Sequence, residues 1–164
     1  SISGGIAIVN AKFPIAKAAE LAGEAEDAAK KYNGGAKNAF NMFGESVSWK
    51  DEFVKVEDWK KDMVNLCSEP TKMPRSMLHK LMLFNDMRKR GEISYIWNTA
   101  YFLKRFSTDK KNDEIKAFCD KVQKELFDTQ QGNNNYRLIA LAARWAELEL
   151  REIKDSNNNK NKNE

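Results

Sequence analysis

The sequence contains few of the residues that β folds and catalytic or metal sites depend on. Its 164 residues include 8 glycines, 3 prolines, 2 cysteines and 1 histidine. Because a many-stranded β fold needs frequent turns, so few glycines and prolines argue against one. One histidine argues against His-based metal sites and catalytic triads, and two cysteines cannot form a disulfide framework. We therefore expect a protein that is not an enzyme and that uses neither a cofactor nor a metal ion.

Long apolar runs are also missing. The longest apolar patch near the start, within residues 2–9, has no basic residue before it and is too short for a secretory signal. No stretch approaches the roughly 18 apolar residues that a transmembrane helix needs. We expect no membrane partner. The free thiols favour a cytoplasmic location, or the virion if the chain is a viral coat protein.

Most of the chain has the periodicity of amphipathic helices, with apolar residues recurring every three or four positions. The pattern predicts an all-α fold: a single-domain bundle of five longer helices plus one short helix at residues 36–43. We expect a flexible arm over residues 1–13, the bundle over 14–154, and a disordered, asparagine-rich tail over 155–164. Ser48 and Asp51 resemble a capping box for the helix that follows them.

The four tryptophans fall on apolar stripes, and this favours a core position for Trp49, Trp59, Trp97 and Trp145. Leu81 and Trp97 occupy the middle of their stripes, so we expect both side chains to be buried. The lone His79 is interpreted as an ordinary structural residue. Cys67 and Cys119 have no neighbouring cysteine and are interpreted as small core hydrophobes.

The formal net charge of +4 hides a local concentration of positive charge. Residues 71–111 contain ten basic and three acidic residues, net +7, whereas the rest of the chain is net −3. A local excess of this size on a compact domain attracts polyanions. A solvated basic face that binds nothing would give the same pattern.

Nine of these basic residues form the predicted nucleic-acid-binding cluster. Helices predicted over 74–90 and 92–106 should be antiparallel, because about two residues separate them. The cluster would then form two poles that contact phosphates without reading bases. Basic residues also suit helix C-termini for reasons of the helix dipole alone. The cluster comprises Arg75, Lys80, Arg88, Lys89, Arg90, Lys104, Arg105, Lys110 and Lys111.

Two tyrosines are candidates for stacking on nucleic-acid bases. Tyr95 and Tyr101 lie off the main apolar stripe and next to basic residues. Aromatic side chains in such surroundings can hold single strands by base stacking.

Two stretches resemble the small helical subunit of type III CRISPR RNA-guided effector complexes. The stretch IWNTAYFL, at residues 96–103, is similar to the central helix of that family, and LAARWAEL, at residues 141–148, is similar to its last helix. The resemblance covers residues 88–152. It implies copies that stack side by side along a guide–target duplex, contact its backbone through basic residues and do no chemistry.

Two alternatives remain open. The stretch FVKVEDWK, at residues 53–60, is similar to a segment of some rod-shaped plant virus coats, so a helical coat or nucleocapsid protein is one. A helical protein–protein adaptor that binds no nucleic acid is the other. For the first two interpretations we expect a nucleic-acid backbone as partner, RNA rather than DNA, together with other protein subunits or copies of the chain itself.

Overall fold

The computed structural model describes residues 2–109 and 112–160, with the backbone alone for residues 109 and 152–160. Its contacts divide the chain into two compact units, Ser1–Lys55 (the N-terminal unit) and Val56–Glu164 (the C-terminal unit). The domain boundaries expected from the sequence stay predictions. The elements are β1 (Gly4–Ile6), α1 (Ile15–Gly35), β2 (Ala39–Met42), β3 (Glu45–Ser48), α2 (Glu52–Cys67), α3 (Ser76–Lys89), α4 (Tyr95–Asp109), α5 (Asp113–Leu126) and α6 (Gly132–Lys160).

The prediction of a mostly helical fold is confirmed, but a three-stranded sheet in the N-terminal unit corrects the all-α prediction. β1 pairs in parallel with β2, so part of the predicted arm over residues 1–13 is a strand. β2 pairs antiparallel with β3. The short helix predicted over residues 36–43 is therefore wrong: half of it is β2, and the six helices within the described residues do not include it.

A tight hairpin explains why residues 36–43 are not helical. Only Phe43 and Gly44 separate β2 from β3, and both have positive φ, 54° and 76°. Two-residue hairpin loops favour this backbone geometry because it matches the twist of the strands. Lys37 also has a positive φ of 51°, which is incompatible with a continuous helix before the strand.

Ser48 caps the start of α2, as the sequence predicts, but the acidic residue that pairs with it differs from the predicted one. The Ser48 hydroxyl accepts a hydrogen bond from the Glu52 amide at 3.3 Å, and a Glu52 carboxylate oxygen accepts one from the Ser48 amide at 2.9 Å. This reciprocal pair uses Glu52 instead of Asp51. Trp49 therefore precedes α2, where its ring stacks on Phe40 at 4.5 Å and stays partly exposed. The prediction that Trp49 is a core residue is wrong.

The C-terminal unit is a packed set of helices with its core between α3 and α6. Leu81 is buried on α3, as expected, and Trp59 is buried on α2. Ala142, Ala143 and Ala146 are fully buried on α6, and their small side chains let α3 pack closely against it. α5 contributes a regular inner face of five buried residues, Ile115, Phe118, Cys119, Val122 and Leu126.

α4 turns a different face to the core from the one that the sequence favours. Its fully buried side chains are Thr99 and Leu103, four residues apart on one face. The Thr99 hydroxyl can be buried there because it donates a hydrogen bond to the Tyr95 carbonyl at 2.7 Å. Trp97 lies about 120° around the helix from Leu103 and is 67% exposed. The prediction that Trp97 is buried is wrong.

The backbone of α6 is helical as far as Lys160. The disordered tail predicted over residues 155–164 thus overlaps the end of this helix, and residues 161–164 lie outside the described residues. Within the described ranges, no helix combines the length and the apolar composition needed to cross a bilayer.

Candidate nucleic-acid interface

A groove runs between α3 and α4, which are antiparallel as predicted. Phe84 on α3 and Phe102 on α4 line the groove and contact each other, with ring centroids 5.7 Å apart and an interplanar angle of 62°. The volume of this α3–α4 groove is about 490 Å³, a size typical of ligand-binding clefts. The described residues that line it are Lys80, Leu83, Phe84 and Met87 from α3, with Asn98, Tyr101, Phe102, Arg105 and Phe106 from α4.

The charged side chains that line the groove are positive within the described part of the chain. Lys80 and Arg105 are exposed there, and no aspartate or glutamate with a described side chain lines it. Nor is any ion pair to Lys80 found among the described side chains. The two cations come from different helices and line the same groove. This arrangement favours an anionic ligand with an apolar part.

Two exposed aromatic side chains stand on α4 beside the groove. Trp97 is 67% exposed and Tyr101 is 68% exposed. Since they are four residues apart, they lie one above the other on the same face of the helix. We call Trp97 and Tyr101 the aromatic row. Ile93 is 70% exposed in the turn before α4 and is not part of this row.

The second predicted pole, at the end of α3, is largely engaged within the protein. The Arg88 guanidinium donates two hydrogen bonds to the buried Asn85 amide oxygen, at 3.0 and 3.2 Å. Arg90 forms an ion pair with Glu92 at the surface. Lys89, between them, is exposed. Two of the three basic side chains at this end are thus hydrogen-bonded or ion-paired within the protein.

The remaining cluster members are dispersed. Arg75 donates a hydrogen bond to the Leu150 carbonyl at 2.7 Å and so holds the start of α3 to α6. Lys104 lines a separate shallow cavity between α4 and α5, where Asp120 is also present. Lys110 and Lys111 lie outside the described residues. Of the seven cluster members with described side chains, the structure therefore brings Lys80 and Arg105 to one groove and leaves the other five outside it.

The two tyrosines proposed for stacking also differ. Tyr95 is half-buried, packs edge-on against Tyr136 at 5.1 Å and donates a long hydrogen bond to Asn133. Tyr101 lines the groove and is exposed.

Sequence reasoning missed Trp97 and the groove residue Asn98. Four-residue spacing from Trp97 through Tyr101 to Arg105 is the signal that could have found the aromatic row.

Other reactive groups are in structural surroundings. Burial raises the pKa of the Cys67 and Cys119 thiols to about 11, which leaves them protonated near neutral pH. The buried carboxylate of Glu147 is paired with Arg144, at 3.1 Å, and with Arg151. His79 lies 3.9 Å from the same carboxylate. Among the described residues, no group of three or more His, Cys, Asp or Glu side chains could hold a metal ion.

Comparisons with known proteins give no assignment at this point. No protein-family model matches the chain, and no match was found among curated proteins or among solved structures.

Proposed function

We propose that the protein is a non-catalytic helical subunit of a ribonucleoprotein assembly that binds a nucleic-acid backbone on the surface formed by α3 and α4. The observation that carries this proposal is the α3–α4 groove, which Lys80 and Arg105 both line and which no carboxylate among the described side chains lines. Phosphate neutralisation by such side chains supplies most of the affinity in sequence-independent binding. RNA is the proposed nucleic acid, and the cytoplasm is the proposed location.

Apolar surface on the N-terminal unit supports the second half of the proposal, that the chain works in an assembly. Ile6, Ile8, Val9 and Leu21 are partly exposed around a shallow cavity of about 320 Å³. Exposed apolar patches commonly mark protein contacts. The proposed protein partners are other subunits or further copies of this chain, as the resemblance to CRISPR small subunits implies.

A helical coat or nucleocapsid protein is the alternative, since it would also need a surface that binds nucleic acid and an apolar surface that binds other subunits. Sedimentation analysis of the purified chain distinguishes the two. A coat protein forms long filaments or discs at high concentration, whereas a complex subunit stays a monomer or small oligomer until its partners are added. A protein–protein adaptor would bind no nucleic acid in either state.

A salt titration tests the backbone contact. Binding of a fluorescently labelled single-stranded RNA is measured by anisotropy at several salt concentrations, for wild type and for the double variant K80A/R105A. Each lost phosphate contact should flatten the log–log slope by about 0.7, so we expect a change of about 1.4. The control is K17A/K116A, which removes two exposed lysines, one on α1 and one on α5, and leaves the groove intact.

Two results would contradict the proposal. One is the absence of any RNA or DNA binding at about 50 mM salt, where phosphate contacts are strong. The other is an equal slope change in K80A/R105A and in K17A/K116A, which would assign the binding to net charge instead of to the groove. Thermal unfolding of each variant establishes beforehand that it is folded.

A further inference from the structure

Among the described residues, no neighbour buries the two side chains of the aromatic row. About two thirds of the surface of Trp97 and of Tyr101 is exposed to water. Both lie on the outer face of α4, where small or polar side chains would suffice. Large aromatic side chains contribute most to stability when they are buried. Exposed rings next to a groove with a positive rim are instead typical of surfaces that stack on flat ligands.

The groove beside the aromatic row combines the chemistry that an unpaired nucleotide needs. Leu83, Met87 and Phe102 give it apolar walls that suit the face of a base. Asn98 offers an amide group with both donors and an acceptor, which can pair with the edge of a base. Lys80 and Arg105 at the rim can neutralise phosphates.

We propose that this surface binds single-stranded nucleic acid, with unpaired bases stacked on Trp97 and Tyr101, one base in the α3–α4 groove, and the phosphates held by Lys80 and Arg105. This rests on the proposed function and specifies its ligand. A duplex does not fit the same surface, because its bases are already stacked on each other and do not present their faces. Among the described side chains that line the groove, the charged ones are positive, which matches the charge of this occupant.

The length of the surface sets the size of the ligand. Trp97 and Arg105 are eight residues apart on α4, which is about 12 Å along the helix axis. A stacked strand advances about 3.4 Å per nucleotide, so three to four nucleotides cover this distance. Strands of about four nucleotides should therefore bind, and dinucleotides should bind much more weakly.

The test separates bases from phosphates. Anisotropy titrations compare three labelled ligands of about eight units: a single-stranded RNA, an abasic strand of the same length and charge, and a blunt duplex. We expect the single strand to bind roughly tenfold or more tightly than the other two, because each base–aromatic stack contributes roughly fivefold or more and the row offers two rings.

The variants assign the effect to the aromatic row. W97A/Y101A should lose roughly tenfold or more in affinity for the single strand and almost nothing for the abasic strand. W97F/Y101F, which keeps two aromatic faces, should restore most of the affinity. The matched control is I93A, which removes an equally exposed apolar side chain without a ring and should leave affinity unchanged.

Three other outcomes would contradict base stacking on the aromatic row. Equal affinity for the single strand and the abasic strand overturns base stacking but leaves the backbone function standing. A duplex that binds as tightly as the single strand also overturns it. If no nucleic acid binds and W97A/Y101A instead abolishes self-association or binding to a protein, both the proposed function and this inference fail.

Discussion

At the scale of single residues, position on a helix decides the role of each tryptophan. Trp59 and Trp97 both lie at apolar-stripe spacing, yet Trp59 is 7% exposed and Trp97 is 67% exposed. Trp59 packs edge-on against Phe118 at 5.8 Å, and the ammonium group of Lys121 lies 4.4 Å from its ring centroid. Trp97 has no comparable burial, so the same residue type serves the core in one case and the surface in the other.

The two tryptophans should respond very differently to truncation. W59A should lower the free energy of unfolding by about 3–5 kcal/mol, because it removes a buried ring and leaves a cavity. W97A should cost about 0.5 kcal/mol or less, as for other surface substitutions. L81A, at a buried position, should cost about 2–5 kcal/mol. Urea unfolding of the three variants checks this, and a large loss in W97A would show that its ring is buried in solution.

The cysteines make stability depend on alkaline pH. Burial raises the pKa of both thiols from 9.0 in the unfolded chain to about 11 in the folded protein. Between these values the unfolded state has lost the protons that the folded state keeps, so stability falls as pH rises from about 9 to about 11. Stability measured at about pH 8 and about pH 10.5 should therefore drop more in wild type than in C67A/C119A. Equal drops would contradict buried, protonated thiols.

At the scale of elements, the close packing of β1 on α1 depends on one glycine. A Cβ atom placed on Gly5 would lie 2.2 Å from the Glu26 amide nitrogen and 2.7 Å from the Ala22 carbonyl oxygen. These are backbone atoms of a helix and cannot move away independently. The strand can therefore lie against the helix only because residue 5 has no side chain.

Substituting this glycine should disrupt the N-terminal unit. We expect G5A to lower stability by about 1–3 kcal/mol or more, as an overpacked contact against backbone does. G4A is the matched control, because a Cβ there meets nothing within 4 Å. Hydrogen exchange at the amides of α1 and β2 measures the effect where it is expected. Similar protection in G5A and G4A would contradict this packing.

The elements also show how far the sequence determines the fold. Spacing alone predicts helices near the positions of α2 to α6, because apolar residues recur in each at intervals of three or four. It misses the β2–β3 hairpin, since Phe43–Gly44 is not a typical hairpin dipeptide, and it misses β1, whose partner strand is more than thirty residues away. It also leaves the rotation of α4 about its axis undetermined. The apolar stripe is wide enough to include both Trp97 and Leu103, so either side of it could face the core. The groove depends on that rotation.

At the scale of the whole molecule, positive charge is concentrated in sequence but divided in space. Residues 71–111 are net +7, and the antiparallel pair of α3 and α4 distributes this charge to both ends of the pair. At one end Lys80 and Arg105 face an open groove. At the other end Arg88 is hydrogen-bonded to Asn85 and Arg90 is paired with Glu92. Arg88 and Arg90 must give up these partners before they can contact a phosphate, whereas no ion pair engages Lys80 among the described side chains.

The two ends should therefore differ in RNA binding although equal charge is removed from each. In the same salt titration, K80A/R105A should weaken binding strongly and flatten the slope by about 1.4, whereas R88A/R90A should flatten it by about half of this or less. R88A also leaves the buried Asn85 amide oxygen without its donor, so unfolding of both variants is measured and the binding compared well below their transitions. An R88A/R90A effect as large as that of K80A/R105A would restore the two-pole surface expected from the sequence. A larger one would move the binding surface to the end of α3.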